Sequence, residues 1–172
     1  MSKLAKKFKS EPSRSGAETA KRGEGNAEAQ SSLTFKTRFG EVTLREELLV
    51  TFPTGLFGFT DCNTFGLAQL PNSGNSALLL LQCVNRPDVA FLVADPAMLG
   101  LEISAADRAE ALEDTGLSAT DTQFVTILTL YDGVDGQYLT ANLRAPVMID
   151  TANKLGTQYI LGNTAYGTQQ KI

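Results

Sequence analysis

The sequence predicts a mainly β fold: a small antiparallel β-barrel-like single domain with one short surface helix. Three observations lead to this prediction. Apolar residues alternate with polar ones, or run on without interruption, in nine or ten short segments. Turn-forming residues separate these segments at close intervals. Only one segment carries the capping signals of a helix. Many short strands with close turns are typical of barrels and sandwiches rather than of α/β folds.

The first half of the domain contains two types of predicted strand. Leu33, Phe35 and Phe39 lie on one face of an alternating segment, Gly40 permits a turn, and the alternation resumes at Val42. The strands that follow are predicted from short apolar runs at residues 48–52, 65–70, 77–84 and 89–94. The last two runs are continuously apolar, so we expect them to be covered on both faces or to lie at the centre of a closed sheet.

The single helix is predicted over residues 105–115. Ser104 followed by Asp107 is a partial capping signal, and Gly116 suits the left-handed position at the end of the helix. Its apolar side is thin, consisting of Ala109 and Leu112 with Ala105 at its margin, so we expect it to lie on the surface of a sheet.

The second half is predicted to be strands followed by a loop. A strand over residues 123–131 and a turn at 132–136 form a hairpin with residues 137–143. Further strands are predicted at 147–150 and 158–161, joined by a polar turn at 153–156. Residues 162–172 are predicted to be a loop that frays.

Charge divides the chain into two parts. Residues 1–32 hold seven Lys or Arg and four Glu, and they are predicted to be a disordered basic tail because they bury too little apolar surface. Residues 33–172, the predicted domain, hold eight basic and fifteen acidic groups. Such an acidic domain repels phosphate backbones and suits a basic partner, although acidity that serves only solubility remains open.

The composition argues against several kinds of chemistry. The chain has no histidine, which excludes His-assisted nucleophilic catalysis and the commonest transition-metal ligand. Cys62 and Cys83 lack metal-site spacing, and Cys83 is expected to be a buried structural thiol. Neighbouring carboxylates such as Glu46 and Glu47 diverge in a strand or helix. We therefore predict no catalytic, metal or cofactor-binding residue and no enzyme. Without a signal peptide or membrane span in the sequence, we expect a cytoplasmic location.

Two motifs stand out, TFPTGLFGF at residues 51–59 and RPDVAFLVADP at residues 86–96. Phe52 and Phe59 are expected in the core, whereas Phe57 lies in a glycine-rich loop where exposure is expected. Asp88 and Asp95 flank an apolar strand at two proline corners. They are expected to cap those corners, with a contact role open for Asp88.

From residue 34 to residue 161 the chain resembles the FliW family of flagellar assembly factors. The resemblance rests on the ordered set FGEVTL, TFPTGLFGF, RPDVAFLVADP and TANLRAPVMID. The matching positions are expected to define the fold: Phe52, Pro53, Gly58, Phe59, Pro87, Asp95, Pro96, Asn142, Ala145 and Pro146. Phe57 replaces the usual proline of the family, and neither the basic tail nor the C-terminal end fits the family pattern.

The resemblance implies a non-catalytic cytoplasmic protein that binds flagellin before export. It also implies binding to CsrA, an RNA-binding translational repressor, so that protein freed by flagellin export relieves repression of flagellin mRNA. Exposure arguments, rather than the family, give the contact candidates: Thr54, Gly55, Leu56, Phe57, Asp88, Glu110, Glu113 and Asp114. Two alternatives remain open: a nucleic-acid-binding barrel that uses the basic tail, and a barrel that holds a small apolar ligand.

Overall fold

The computed structural model describes residues 31–172. Within that range it contains eleven strands, one α-helix and two 3₁₀ turns. The helix α1 is Ala105–Thr115, and the 3₁₀ turns are Glu46–Leu48 and Pro96–Leu99. The strands are β1 Ser32–Thr37, β2 Gly40–Arg45, β3 Val50–Thr51, β4 Thr64–Gln69, β5 Leu79–Cys83, β6 Ala90–Ala94, β7 Thr122–Gly133, β8 Gly136–Ala141, β9 Val147–Asp150, β10 Leu155–Gln158 and β11 Gln170–Lys171.

Seven of these strands close into a ring. The hydrogen-bonded order runs β7, β6, β5, β4, β3, β10, β9, and β9 then pairs with β7 again. The closure depends on the length of β7, because its first four residues pair with β9 and its later residues pair with β6 and β8. The neighbours are antiparallel except for β3 and β10, which meet in parallel at Thr51 and Leu155. The prediction of a mainly β, barrel-like fold is confirmed.

The interior of the ring is filled by side chains that alternate inwards along the strands. The rings of Phe52 and Phe65 meet edge to face with centroids 5.0 Å apart, and Phe52, Phe65 and Leu81 are fully buried. All five residues of β5 are buried, as its continuous apolar run predicts. The other face of β5 is also covered, since Leu80 packs with Val42 and Leu44 of the β1–β2 hairpin. Edge-to-face packing of this kind adds to the stabilisation from burial.

Helix α1 begins and ends as the sequence predicts, but its buried face differs. The Asp107 backbone N–H donates to Ser104 Oγ at 3.1 Å, and Gly116 takes a left-handed φ of 67° at the C-terminus. Ala111 is the buried residue of α1, and Leu112 packs beside it, whereas Ala105 and Ala109 are exposed. The prediction of Ala105 and Ala109 on the apolar side is therefore wrong. Both are small, and they gave no signal to fix the orientation of the helix.

The predicted turn at 153–156 is shifted towards the N-terminus. The buried Asp150 carboxylate accepts the backbone N–H groups of Ala152 and Asn153, at 3.1 and 2.9 Å, and so turns the chain at once after β9. Lys154 completes the turn with a φ of 55°. Strand β10 is consequently Leu155–Gln158 instead of residues 158–161. Such an Asx turn depends on one side chain and leaves little trace in apolar periodicity.

Residues 48–52 also form less strand than predicted. The 3₁₀ turn Glu46–Leu48 occupies the start of this run, and β3 is only two residues long.

The C-terminal segment does not fray. Strand β11 pairs with β8, and the Tyr166 hydroxyl accepts the Ser104 backbone N–H at 2.9 Å while donating to Asp107 Oδ2 at 2.6 Å. The segment therefore fastens the start of α1, and the prediction of a fraying end is wrong. Its composition is polar, but long-range side-chain hydrogen bonds hold it in place.

The predicted tail at residues 1–32 lies outside the described residues, apart from Ser31 and Ser32. No helix within residues 31–172 combines the length and apolar character needed to span a membrane.

Candidate protein-binding surface

The loop between β3 and β4 is shaped by two glycines and a narrow backbone bridge. Gly55 has a φ of 67°, and a Cβ there would overlap the carbonyl oxygen of Phe59. The backbones of Leu56 and Phe59 bond to each other at 3.3 and 2.8 Å, and Gly58 takes a φ of 81° between them. This tight turn directs Leu56 into the core, where it is 2% exposed.

Phe57 points the opposite way at the tip of this turn. Its side chain is 54% exposed, as the sequence predicts. Its backbone N–H donates to Gln158 Oε1 at 3.0 Å, and Gln158 Nε2 donates to the carbonyl of Ala145 at 3.0 Å. The amide of Gln158 thus holds the exposed phenylalanine against the end of β10. The loop is fixed by the fold, so the aromatic ring is presented with little loss of entropy on binding.

A second exposed apolar side chain lies on the same side of this segment. Ile160 is 54% exposed, while its neighbours Tyr159 and Leu161 pack against the α1 side of the fold. The backbone N–H groups of Tyr159 and Leu161 donate to Pro146 and Arg144, so the segment is extended. Alternate residues of an extended segment share a face, which places Ile160 on the same side as Gln158.

Tyr159 connects this segment to the acidic face of α1. Its hydroxyl donates to Asp114 Oδ2, and the nearby carboxylate raises the pKa of Tyr159 to about 12. Glu110, Glu113 and Asp114 are exposed on this face. We define the loop–helix surface as Phe57, Ile160, Glu110, Glu113 and Asp114. It comprises two exposed apolar side chains and three exposed carboxylates, joined by residues 158–160, in which Gln158 and Ile160 lie on one face and Tyr159, which contacts Asp114, lies on the other.

Asp88 lies on the other side of the same loop and forms an ion-pair cluster. Arg86 contacts Asp61 Oδ2 at 2.6 Å and Asp88 Oδ2 at 3.0 Å. Hydrogen bonds from the Arg86 guanidinium lower the pKa of both carboxylates. The side chain of Asp88 therefore pairs with Arg86, whereas Asp95 caps the turn at Pro96 by accepting the Ala97 N–H at 2.9 Å.

The structure exposes five of the contact candidates: Phe57, Asp88, Glu110, Glu113 and Asp114. Separate hydrogen bonds join Tyr159 to Asp114, Phe57 to Gln158, and Arg86 to Asp61 and Asp88. Thr54 is also exposed in the loop, but Gly55 and Leu56 are buried and offer no side-chain surface. Sequence reasoning missed Gln158, Tyr159 and Ile160, which it assigned to a strand. The one available signal was an isoleucine next to a tyrosine in a polar region.

The ten residues predicted to define the fold occupy structural positions. Asn142 Oδ1 accepts the Ala145 N–H at 3.0 Å, and the rings of Phe59 and Phe91 meet at 5.0 Å. Phe52, Pro96, Ala145 and Pro146 are buried, while Pro53, Gly58 and Pro87 are exposed at corners of the chain.

The fold and its exposed loop together define a class, the small mainly β domains with a closed sheet, here with an exposed phenylalanine on a loop that the fold holds in place. Within that class, the family model described as "FliW protein" matches residues 34–172. The chain belongs to the FliW family. Its relatives carry the name flagellar assembly factor FliW.

Curated relatives and a solved structure agree with this family. The chain is 32% identical over 139 residues to "Flagellar assembly factor FliW 2" of Desulfotalea psychrophila, covering 81% of this chain and 89% of the relative. It is 29% identical over 134 residues to "Flagellar assembly factor FliW" of Natranaerobius thermophilus, covering 78% and 87%. A structure described as "Crystal structure of the flagellar assembly factor FliW" aligns with a TM-score of 0.62 at 31% identity, covering 82% of this chain and 96% of that one.

Proposed function

We propose that this protein is a cytoplasmic flagellar assembly factor that binds flagellin and, once released, binds and antagonises CsrA. Capture of CsrA relieves the repression of flagellin mRNA translation. The protein acts by exchanging protein partners and changes no covalent bond, so it is not an enzyme. Family membership supports the assembly role, and the loop–helix surface supplies a site for a protein partner.

The observation that carries the proposal is the exposed Phe57, which Gln158 holds in a fixed position, together with the exposed Ile160 on the same face of the segment as Gln158. Exposed aromatic and aliphatic side chains in a fixed position are typical anchors of protein interfaces. Residues 33–172 carry seven more acidic than basic groups, since eight are basic and fifteen acidic. An RNA-binding protein has a basic surface, and an acidic domain attracts such a partner over long range.

Binding of purified CsrA and flagellin to the full chain, measured by calorimetry, tests the proposal. We expect both to bind, and flagellin to displace CsrA. The Phe57→Ala variant is expected to weaken the binding of at least one partner by about fivefold or more, because interface anchors typically contribute at least about 1 kcal/mol. Met98→Ala is the matched control, since Met98 is also exposed but lies away from the loop–helix surface.

Charge is tested separately with the Glu110→Gln, Glu113→Gln pair. We expect slower CsrA association and a weaker dependence of that rate on salt, because exposed charges act mainly on the encounter rate. The exposed Glu41→Gln, Glu46→Gln pair on and just after the β1–β2 hairpin is the control. If neither CsrA nor flagellin binds at micromolar concentration, the proposal fails. Direct RNA binding with steep salt dependence, in place of CsrA binding, supports the nucleic-acid alternative.

A further inference from the structure

A cleft of about 430 Å³ opens on the side of the β3–β4 loop away from α1. It lies between the end of β1 and the turn that joins β5 to β6. Its walls include Phe59 and Phe91, whose rings meet edge to face, and the floor is formed by Val89 and Ala90. A volume of this size falls in the range of about 300–1,000 Å³ typical of ligand sites.

The cleft collects positive charge on an otherwise acidic domain. Of the eight basic residues in 33–172, three line it: Lys36, Arg38 and Arg86. Arg86 is already paired with Asp61 and Asp88. Lys36 and Arg38 are exposed and form no salt bridge with any residue in 31–172, although Arg38 rests on the ring of Phe39 at 4.7 Å. Neither cation at the mouth of the cleft is therefore ion-paired within the described part of the chain, although Glu41 lies opposite Lys36 in the β1–β2 ladder.

The opposite wall is fixed in place by a buried amide. Gln82 is fully buried, and its Nε2 donates to the carbonyls of Pro87 and Val89 at 3.1 Å each. These two residues belong to the turn that carries Arg86 and Asp88. The cleft is therefore formed before any ligand arrives, which lowers the entropic cost of binding.

We infer that this cleft binds an acidic peptide segment of a protein partner. A carboxylate of the segment lies between Lys36 and Arg38, and a neighbouring apolar side chain packs against Phe59 and Phe91. The mouth carries two free cations, and Asp88 lies on its other side. One or two carboxylates suit this arrangement, whereas a phosphate chain, with a charge on every nucleotide, is repelled more strongly by Asp88 and by the net charge of the domain. The cleft is thus opposite in charge to the loop–helix surface, so the two sites select different partner chemistry.

The inference is tested by NMR titration of the full ¹⁵N-labelled chain. The probe is the acetylated and amidated hexapeptide Gly-Asp-Phe-Asp-Leu-Gly, with the Asn-for-Asp peptide as its neutral control. We expect saturable shifts at the backbone amides of residues 36–38 and 86–91, with a Kd of about 1 mM or tighter. The neutral peptide is expected to bind more weakly, by up to about fivefold for each lost charge contact, because such a contact is worth up to about 1 kcal/mol.

In the Lys36→Gln, Arg38→Gln variant, the binding of the acidic peptide is expected to be about fivefold weaker or more. Lys154→Gln, which removes an exposed lysine from the turn before β10, is expected to change nothing. Unchanged amide shifts in the core of the variants show that the fold persists.

Three outcomes overturn the inference. They are the absence of saturable shifts at about 5 mM peptide, equal binding of the two peptides, and shifts confined to the loop–helix surface. A uridylate octamer is titrated in parallel, and tighter binding of this RNA at Lys36 and Arg38 assigns the cleft to nucleic acid instead. The test uses neither CsrA nor flagellin, so its result is independent of the proposed function.

Discussion

Gly156 lies at a position where the packed core leaves no space for a side chain. It lies on β10, where a Cβ would overlap the ring of Phe52. That ring is fully buried and packed against Phe65, so it has no free space to move into.

The Gly156→Ala variant is therefore expected to lose about 1–3 kcal/mol of unfolding free energy, measured by urea denaturation, because overpacking forces side chains out of their rotamers. Gly74→Ala is the control, since a Cβ at Gly74 meets nothing within 4 Å. Equal stability of the two variants would contradict this reading of the core.

The two cysteines are predicted to be unreactive in the folded chain. Both are fully buried, and burial, followed by the hydrogen bond with Cys83, raises the pKa of Cys62 to about 12. The thiolate is the reactive form, so labelling by a disulfide reagent at pH 8 is expected to be at least about 100-fold slower than in concentrated urea. Rapid labelling of the native chain would show that the β3–β4 loop opens.

The same shift gives a pH dependence. Above its ordinary pKa of 9.0, Cys62 ionises in the unfolded chain but stays protonated in the folded one. The contribution of Cys62 to folding stability is therefore fully present below about pH 9 and is lost as the pH rises towards about 12. The Cys62→Ala variant is expected to lose this part of the alkaline decline, as seen by comparing urea midpoints at pH 8 and pH 10.5.

At the scale of elements, the C-terminal segment and α1 depend on each other. The Tyr166 hydroxyl bonds to both Ser104 and Asp107, and the hydrogen bonds from Ser104 and then Tyr166 lower the pKa of Asp107. The Tyr166→Phe variant removes both bonds while keeping the ring.

We expect this variant to increase amide hydrogen exchange in β11 and in the first turn of α1, with little change in β5. Tyr131→Phe is the control, because it likewise removes one tyrosine hydroxyl, here from a ring that stacks on Tyr138 in the β7–β8 hairpin. Unchanged exchange in β11 would mean that its pairing with β8 is sufficient to hold the C-terminus.

The elements that sequence patterns predict well are those defined by local signals. Alternation indicated the β1–β2 hairpin, continuous apolar runs indicated β5 and β6, and capping residues bounded α1. Strand β11 and the position of β10 were missed because they depend on distant partners and on the single carboxylate of Asp150. In the candidate site, the exposure of Phe57 follows from its glycine-rich loop, whereas its support by Gln158 joins residues 101 apart in sequence.

The whole molecule consists of a closed ring and a hairpin outside it. The β1–β2 hairpin forms a separate two-stranded sheet and is attached to the ring by side-chain packing, including Leu44 against Gly66. Each strand of the ring has neighbours on both sides, whereas β1 pairs only with β2 among the described strands.

Native-state hydrogen exchange is therefore expected to show two levels of stability. Amides of β1 should exchange at least about tenfold faster than those of β5, because local opening of the hairpin leaves the ring intact. Equal protection of β1 and β5 would contradict this and would show that hairpin and ring open as one cooperative unit.

Closure of the ring through β9 has a consequence for self-association. An open strand edge is a template on which further chains can add and aggregate. Among the described strands, open ladder edges remain on the β1–β2 hairpin, on the projecting part of the β7–β8 hairpin and beside the short β11, and the edges of the β1–β2 hairpin bear the charged side chains of Lys36, Glu41 and Arg45. The protein therefore offers other chains little unpaired backbone on which to add strands.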